Sequence, residues 1–278
     1  MKLKNTMLSR LRRRVIFCFI MFVIGIIISF KSLEKYNINI EKKYNQFLIE
    51  EVLSDKTYLD RIKTIKENKP SENVEEAKEP LIYIYNTHDT EEYASNNLFS
   101  FVPNVTMVNY ILKEKFEQAN IQTIVEERSI KEILNKNNWN YASSYKASRL
   151  YIDDVKDSYP SIKYYIDVHR DSLEKAKTTT IINDKSYAQL LFIVGLENDN
   201  YKENLDFTQK IVDKLNERYP GLCKGIYKKS GPGVNGIYNQ DVSPNCILAE
   251  FGGQENTIYE VLNTTLAFYE CFLEVISE

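Results

Sequence analysis

Histidine and cysteine, which often bind metals or form crosslinks, are scarce in this chain. It contains two histidines and four cysteines in 278 residues. Cys223, Cys246 and Cys271 follow the apolar N-terminal run, and they show neither C-x-x-C nor zinc-knuckle spacing. Three such cysteines leave at least one thiol unpaired, and the apolar run around Cys246 is typical of a buried thiol. A scaffold of disulfides is therefore not expected.

The chain also lacks an excess of either charge. Its 36 basic and 39 acidic residues give a net charge of −3. No global positive field predicts a nucleic-acid partner. With 43% hydrophobic and 12% aromatic residues in 32.6 kDa, the chain can build a real core. A function has to be argued from individual sites.

Two common catalytic motifs are missing as well. Neither a G-x-S-x-G nucleophile elbow nor a phosphate-binding loop occurs. The stretch GPGVNG at residues 231–236 matches G-x-G-x-x-G, but it follows YKKS and precedes IYNQ. A dinucleotide site needs an apolar strand before the glycines and a helix after them. We expect a flexible wall of a substrate cleft at this position.

The main apolar run lies near the N-terminus. It extends from Val15 to Phe30, follows the basic cluster SRLRRRV and ends before Lys31. Such a run can cross a bilayer with help from flanking residues, and arginines before it stay in the cytoplasm. A cleaved signal peptide has a similar layout, but no small-x-small cleavage site follows. We predict a cytoplasmic tail at residues 1–14, a single-pass transmembrane signal anchor at 15–30 and an extracytoplasmic remainder.

Residues 31–78 are predicted to form a helical stalk and a linker. Apolar residues between 44 and 65 recur largely at helical spacing among charged residues, which is typical of amphipathic helices. The next segment, ENKPSENVEEAKEP, has mixed charge, prolines near both ends and no aromatic residue. It can bury little surface, so it is predicted to be a linker. The catalytic domain is then expected at residues 79–278.

Strand and helix patterns alternate through residues 79–278. Short β-branched and aromatic runs separated by segments of helical periodicity favour a twisted, mostly parallel α/β sheet flanked by helices. Predicted strands cover 81–85, 121–126, 164–168, 178–182, 188–195 and 246–251, with the strands at 178–182 and 188–195 joined by a turn at Asn183-Asp184. Predicted helices cover 105–120, 143–159, 204–219 and 256–276. Such sheets bind ligands at the carboxyl ends of their strands.

Three of these strand ends carry residues suited to metal chemistry. His88 follows the first strand by two residues, His169 lies in YYIDVHRD, and Glu250 ends CILAE. Glu91 comes three residues after His88, a spacing that lets both side chains meet one ion. A catalytic zinc takes three nitrogen or oxygen ligands and leaves one position for water. His88, Glu91 and His169 are the predicted ligands, and Glu250 is the predicted general base.

Each of these residues also has an ordinary structural explanation. A histidine at a strand end is often a hydrogen-bonded structural residue, and Glu91 could cap a helix. Glu250 is harder to explain in this way, because an acid in a buried strand needs a partner or a shifted pKa.

Four segments carry a resemblance to a known family. YNTHDTEEY, NYASSYKASRLY, YYIDVHRDS and GIYNQDVSPNCILAEFGGQENT occur in this order. They resemble successive segments of the stage II sporulation protein P family, and the first is similar to its H-T-x-x-E-x-Y signature. The resemblance runs from about Pro80 to the C-terminus and includes the N-terminal layout of anchor and linker. Asn86 stands where many members carry a histidine, and the last motif reads AEFGG instead of a valine-flanked version.

The resemblance implies a zinc-dependent cell-wall hydrolase related to the N-acetylmuramoyl-L-alanine amidases, with a sheet of the phosphorylase/hydrolase type. It implies metal ligands at His88, Glu91 and His169 and a catalytic Glu250. The implied substrate is peptidoglycan, cut between N-acetylmuramic acid and L-alanine, and the family is also credited with endopeptidase action on crosslinks. The implied setting is the outer face of the membrane during engulfment of the forespore, alongside the sporulation proteins D and M. A vegetative role in wall remodelling stays open.

Further residues are candidates for binding substrate or orienting the histidines. Asp171 or Asp167 could accept a hydrogen bond from a ring nitrogen, and Arg170 could bind a carboxylate, with a salt bridge at the sheet's rim as the alternative. Asn239 and Gln240 could contact substrate, or form a turn that binds its own backbone. The remaining candidates line the cleft or cap a helix: Tyr141, Ser143, Ser144 and Tyr145.

Two other functions stay open on the sequence alone. One is a catalytically silent, membrane-anchored scaffold of the same fold that binds the wall. The other is a zinc peptidase that cuts only crosslinks. Every proposed ligand and base is present, which favours the amidase.

Overall fold

The computed structural model of the chain describes residues 79–94 and 102–278, all within one compact unit, Asp55–Glu278. The predicted tail, anchor, stalk and linker at residues 1–78 lie outside the described residues. Among the helices of the described ranges, none has both the length and the apolar character needed to cross a membrane.

A six-stranded sheet forms the centre of the described fold. Its strand order is β2-β1-β3-β8-β6-β7, and every neighbouring pair is parallel except β6 and β8. The prediction of a mostly parallel sheet is confirmed. The strands are β1 (Ile82–Tyr85), β2 (Thr123–Val125), β3 (Tyr164–Asp171), β6 (Leu190–Gly195), β7 (Cys223–Lys229) and β8 (Cys246–Gly253), while β4 (Thr179–Ile182) and β5 (Lys185–Ala188) form a separate hairpin.

Helices cover both faces of this sheet. They are α1 (Thr106–Gln118), α2 (Ile130–Lys136), α3 (Ser144–Ser158), α4 (Tyr201–Arg218) and α5 (Ile258–Ser277), with short 3₁₀ turns at Tyr141–Ser143, Lys175–Lys177 and Gln240–Val242. Tyr83 and Tyr165 pack with Ile152 of α3 on one face. Tyr164 instead meets Phe272 of α5 on the other. Successive residues of a strand point to opposite faces, so odd-numbered residues of β3 lie on the α3 face.

Helical periodicity predicted the long helices because it reflects their buried faces. All four apolar residues assigned to the inner side of α1 are buried: Val108, Ile111, Leu112 and Phe116. In α3, Ile152 and Val155 are buried, but Leu150 is 43% exposed, so that part of the prediction is wrong. Leu150 lies two positions from Ile152, and residues so spaced do not share a helix face.

Two elements were not predicted, and one strand pairing differs from its prediction. The short helix α2 and the strand β7, with the sequence CKGIYKK, have no strong apolar period. The turn at Asn183-Asp184 is present, and both residues have positive φ angles of 49° and 63°. Its second strand is β5, however, whereas Leu190–Gly195 joins the main sheet as β6.

Candidate functional site

The candidate site lies at the carboxyl ends of β1, β3 and β8. His88 follows β1, His169 lies near the end of β3, and Glu250 lies near the end of β8. His169 and Glu250 are register partners on adjacent parallel strands. Their odd and even positions fall on the same side of the sheet, the side covered by α3. The structure therefore brings these three residues together, as the sequence predicted.

The two histidine rings are close neighbours. Their centroids are 5.2 Å apart and their planes meet at 81°. The turn after β1 presents His88, and the backbone N–H of Glu91 donates to the carbonyl oxygen of His88 at 3.2 Å. Nδ1 of His88 is buried and has no hydrogen-bond partner. Burial and the neighbouring His169 lower the pKa of His88, which favours the neutral imidazole that binds metals.

His169 lies between two carboxylates. Its Nε2 is 2.9 Å from Oδ1 of Asp167, and its Nδ1 is 3.6 Å from Oε2 of Glu91. The Nε2 contact is short, but its geometry is not that of a hydrogen bond. Burial opposes a charge on His169, yet the two carboxylates outweigh burial and raise the pKa to about 10. This pocket therefore stabilises a positive charge.

Glu91 is held in place by the strand that carries His169. The backbone N–H of Arg170 donates to Oε2 of Glu91 at 2.9 Å. Burial alone would raise the pKa of Glu91, but the hydrogen bonds to His169 and Arg170 leave it below its usual value. Glu91 is therefore an ionised carboxylate beside His169, and it does not cap a helix.

Glu250 is in a different state from Glu91. Burial and then the nearby Asp171 raise the pKa of Glu250 to about 7, against the opposing effect of His169. A carboxylate with a pKa near neutrality can both take up and release a proton at physiological pH. The sequence predicted that an acid in this strand would need a partner or a shifted pKa, and the structure has the shifted pKa.

A buried chain of hydrogen bonds connects the two histidine-bearing strands with α3. Asp167 accepts hydrogen bonds from the backbone N–H of Thr87 at 2.9 Å and from its hydroxyl at 2.7 Å. The Thr87 hydroxyl also meets the Ser148 hydroxyl at 2.9 Å, and the Asn239 amide donates to that hydroxyl at 2.9 Å. Sequence reasoning missed Thr87 and Ser148, although both lie in segments quoted for the family resemblance.

The structure gives several supporting candidates other roles. Of the two acids proposed to contact a ring nitrogen, Asp167 lies beside His169, whereas Asp171 pairs with Lys224 at 3.6 Å. Arg170 directs its guanidinium to the backbone carbonyl oxygens of Glu92 and Asp171. Its predicted role in carboxylate binding therefore lacks support from its contacts.

The amides of Asn239 and Gln240 serve the fold. The Asn239 side chain donates to the carbonyl oxygen of Tyr145 at 3.0 Å, besides its bond to Ser148. Gln240 is fully buried and bonds the backbone of Gly195 and Ile193. A fully buried amide has no surface for substrate, so the prediction that Gln240 contacts substrate is wrong.

Aromatic rings line the site on the α3 side. Tyr141 stacks on His88 with centroids 4.5 Å apart and an interplanar angle of 15°. The Tyr145 ring lies 5.7 Å from the His88 ring and 6.5 Å from the His169 ring. Both tyrosines were predicted to line the cleft. The serines Ser143 and Ser144 do not cap α3: Ser143 makes no side-chain cap bond, and the Ser144 hydroxyl donates to the carbonyl oxygen of Tyr141.

The donors around His88 match zinc in type and in spacing. Two imidazoles on a tetrahedral zinc, with Zn–N bonds of about 2.0–2.1 Å, have centroids about 5 Å apart. Within residues 79–94 and 102–278, no three His, Cys, Asp or Glu side chains form a group already arranged to hold a metal ion. Binding an ion through His88, His169 and Glu91 together therefore requires side-chain movement.

Comparisons with known proteins agree with the four sequence segments. The family model described as Stage II sporulation protein P matches residues 24–273. Stage II sporulation protein P of Bacillus subtilis (strain 168) is 36% identical over 203 residues, which cover 70% of this chain and 51% of that protein. The aligned part therefore spans about half the length of this relative.

One solved structure is similar in backbone, and the family model accounts for most of the sequence. The solved structure is the CwlD amidase from Clostridioides difficile in complex with the GerS lipoprotein, with a TM-score of 0.46, 12% identity, and coverage of 71% of this chain and 98% of that chain. The family model leaves only the first 23 and the last five residues unmatched. The chain therefore belongs to the stage II sporulation protein P family.

Proposed function

We propose that this chain is a zinc-dependent peptidoglycan hydrolase that cleaves the amide between N-acetylmuramic acid and L-alanine. The observation that carries the proposal is the convergence of two histidine rings and two acids at the carboxyl ends of three adjacent strands. His88 and His169 are 5.2 Å apart between centroids, and Glu250 is the register partner of His169. Both histidines of the chain are used at this one place.

His88, His169 and Glu91 would hold the zinc. When bound, zinc supplies Lewis-acid polarisation of a carbonyl and lowers the pKa of its water toward about 7. The unpartnered Nδ1 of His88 and the ionised Glu91 support this assignment. Asp167 lies beside the opposite ring nitrogen of His169, where a carboxylate fixes the orientation of a metal-binding imidazole.

Glu250 would move the proton in this reaction. Its carboxylate takes a proton from the attacking water and passes it to the departing amine, which requires a group able to exist in both states near neutral pH. The raised pKa of Glu250 suits this role. The same apparatus would also hydrolyse peptide crosslinks, an activity that the family resemblance implies.

The proposed setting follows from the family and from residues 15–30. A single-pass anchor there would hold the hydrolytic domain at the extracytoplasmic side of the cell membrane, next to the wall. Engulfment during sporulation, with the sporulation proteins D and M as partners, is the setting we infer. Wall remodelling in growing cells is the alternative.

Metal content and product identity test this function in one preparation. The full chain is expected to purify with about one zinc and to release stem peptides from purified sacculi. Glu250→Gln should keep the zinc and lose at least about 10²-fold in rate, because it removes the proton-transfer group. Glu203→Gln, a change of the same kind in the first turn of α4, serves as the control and should retain full activity.

The opposite results would refute the proposal. They are a wild-type chain without zinc, or a Glu250→Gln variant with full activity. Products carrying only cut crosslinks would show a peptidase instead of an amidase.

One observation favours a catalytically silent scaffold as a second candidate. No three ligand side chains are already arranged around an ion in the described part of the chain, and His169 is engaged by two acids. A scaffold of this kind would bind muropeptides without releasing any product, with zinc or without it. Product analysis of the wild-type chain separates the two candidates.

A further inference from the structure

A groove opens beside His88 on the side away from Glu250. It has a volume of about 360 Å³ and runs between the turn after β1 and the helix α2. This volume falls within the range of roughly 300–1,000 Å³ that small-molecule sites occupy. Since His88 itself is part of the lining, anything bound in the groove lies next to the candidate active site.

Aromatic and aliphatic side chains form much of the groove. Its lining includes Ile130 and Leu134 of α2, together with Trp139 and Tyr141. Tyr141 is 62% exposed although one face of its ring is stacked on His88. A large aromatic ring held flat by its neighbour and otherwise open to solvent is ready to cover an apolar face of a ligand.

The polar part of the lining is mostly neutral. It includes the Thr90 hydroxyl and the Asn135 amide, with Lys131 as its one lysine or arginine. The acid in the lining, Asp89, already accepts hydrogen bonds from the Ser129 hydroxyl and the backbone N–H of Ile130. A stem peptide with several carboxylates would call for more positive charge than one lysine supplies. The groove instead matches a neutral ligand with apolar faces and a rim of hydroxyl and amide groups.

We propose that this groove is a saccharide subsite that holds an N-acetylated pyranose of the glycan strand against Tyr141. A pyranose has the required form, because its C–H groups make apolar faces and its hydroxyls lie around the edge. The inference rests on the proposed function for the origin of the sugar. It places the glycan on the α2 side of the scissile amide and the stem peptide on the β8 side.

The chain carries its own reporter for this subsite. Trp139 is the only tryptophan in the sequence and lines the groove. Lys146 covers one face of the indole, with its ammonium 3.9 Å from the ring centroid, so a ligand would reach the remaining surface. The probe is a peptide-free oligosaccharide of N-acetylglucosamine, titrated into the full chain while the tryptophan emission is followed.

The expected result is a saturable change in emission for the wild-type chain. Tyr141→Ala should weaken binding at least about tenfold, and Tyr141→Phe should bind like the wild type because it keeps the ring. Tyr259→Ala removes another exposed tyrosine, 46% exposed on α5, and should leave binding unchanged. Because Tyr141 is mostly exposed, its replacement should not unfold the chain, and a circular dichroism spectrum checks this.

Three results would overturn the subsite. They are no saturable change with the oligosaccharide, equal affinity in Tyr141→Ala, and a sugar-free stem peptide that alone perturbs Trp139 in a Tyr141-dependent way. Failure of the proposed function has a different signature. A chain that binds the oligosaccharide through Tyr141 but has no zinc or releases no product would refute the hydrolase and leave the subsite in place.

Discussion

Gln240 shows, at the scale of single residues, how the segment before β8 is fixed to the sheet. Its side-chain oxygen accepts from the backbone N–H of Gly195, and its side-chain nitrogen donates to the carbonyl oxygen of Ile193, both at 2.8 Å. Asn239, the preceding residue, holds α3 by its own side chain. The two neighbouring amides therefore connect the last strand of the site to β6 and to α3.

Replacing Gln240 by alanine should destabilise the fold. The change leaves two buried backbone groups of β6 without partners, and each costs free energy because it stays out of water. We expect the free energy of unfolding to fall by roughly 2–4 kcal/mol in a urea titration. Gln209→Ala, on the exposed side of α4, is the matched control and should change it by less than about 0.5 kcal/mol. Equal stability of the two variants would contradict the role assigned to Gln240.

The residues of the candidate site differ in how well the sequence predicts them. His88 and His169 could be found because histidine is rare and both follow apolar strands. Thr87, Ser148 and Tyr141 could not, because threonine, serine and tyrosine are common types whose roles depend on long-range contacts. Tyr141, for example, lies 53 residues from the ring on which it stacks, a separation that no local pattern encodes.

At the scale of elements, the start of α5 is tied down by a single acid. Glu260 accepts from the backbone N–H of Thr257 at 2.8 Å, and the Thr257 hydroxyl accepts from the N–H of Glu260, which together form a capping box. Glu260 also accepts from the Ser186 hydroxyl at 2.8 Å and pairs with Lys175 at 3.0 Å. The acid therefore joins the helix to the β4–β5 hairpin and the turn before it.

Glu260 should give the fold a stability that depends on pH. Burial opposes its charge, but these bonds outweigh burial and lower its pKa to about 2. A carboxyl whose pKa is lower in the folded state stabilises the fold above its unfolded value of about 4.5 and loses that effect as pH falls toward 2. Glu260→Gln should therefore cost up to about 3 kcal/mol at pH 7, and its difference from the wild type should shrink below pH 4.5.

Denaturant titrations at pH 7 and pH 3 measure this change. Glu203→Gln, in the first turn of α4, provides the comparison for an exposed helix-start acid. A constant difference between Glu260→Gln and the wild type across this range would contradict the assignment.

Elements with a buried face were predicted, and elements at the margin were not. The long helices α1, α4 and α5 follow from apolar residues at helical spacing. The strand β7 lies at the edge of the sheet, has three lysines and a glycine among its seven residues, and contains no apolar run. Its strand conformation comes from pairing with β6, which the local sequence does not encode.

At the scale of the whole molecule, the reversed direction of β6 follows from a missing crossover helix. Between the end of β3 at Asp171 and the start of β6 at Leu190, the chain makes only a 3₁₀ turn and the β4–β5 hairpin. A parallel strand requires the chain to return to the opposite edge of the sheet, usually through a helix. Without one, β6 starts at the edge where β3 ends, so it runs antiparallel to β8.

The fold should hold together without disulfides. Cys223, Cys246 and Cys271 are all free thiols, and burial raises the pKa of Cys223 to about 11, which makes it a poor nucleophile at neutral pH. We expect the same unfolding temperature with and without a reducing agent, measured by circular dichroism. A Cys18→Ser variant removes the remaining cysteine and should behave identically. A lower midpoint under reducing conditions would show a crosslink that stabilises the chain.

The edges of the six-stranded sheet have a consequence for behaviour at high concentration. On one side β2 has only three residues, too few to template a long ladder with a second molecule. On the other side β7 carries exposed lysines and an irregular register near Gly225, whose φ of 98° bends the strand. Both margins discourage strand addition, so the folded unit is built to resist amyloid-like aggregation in a crowded envelope.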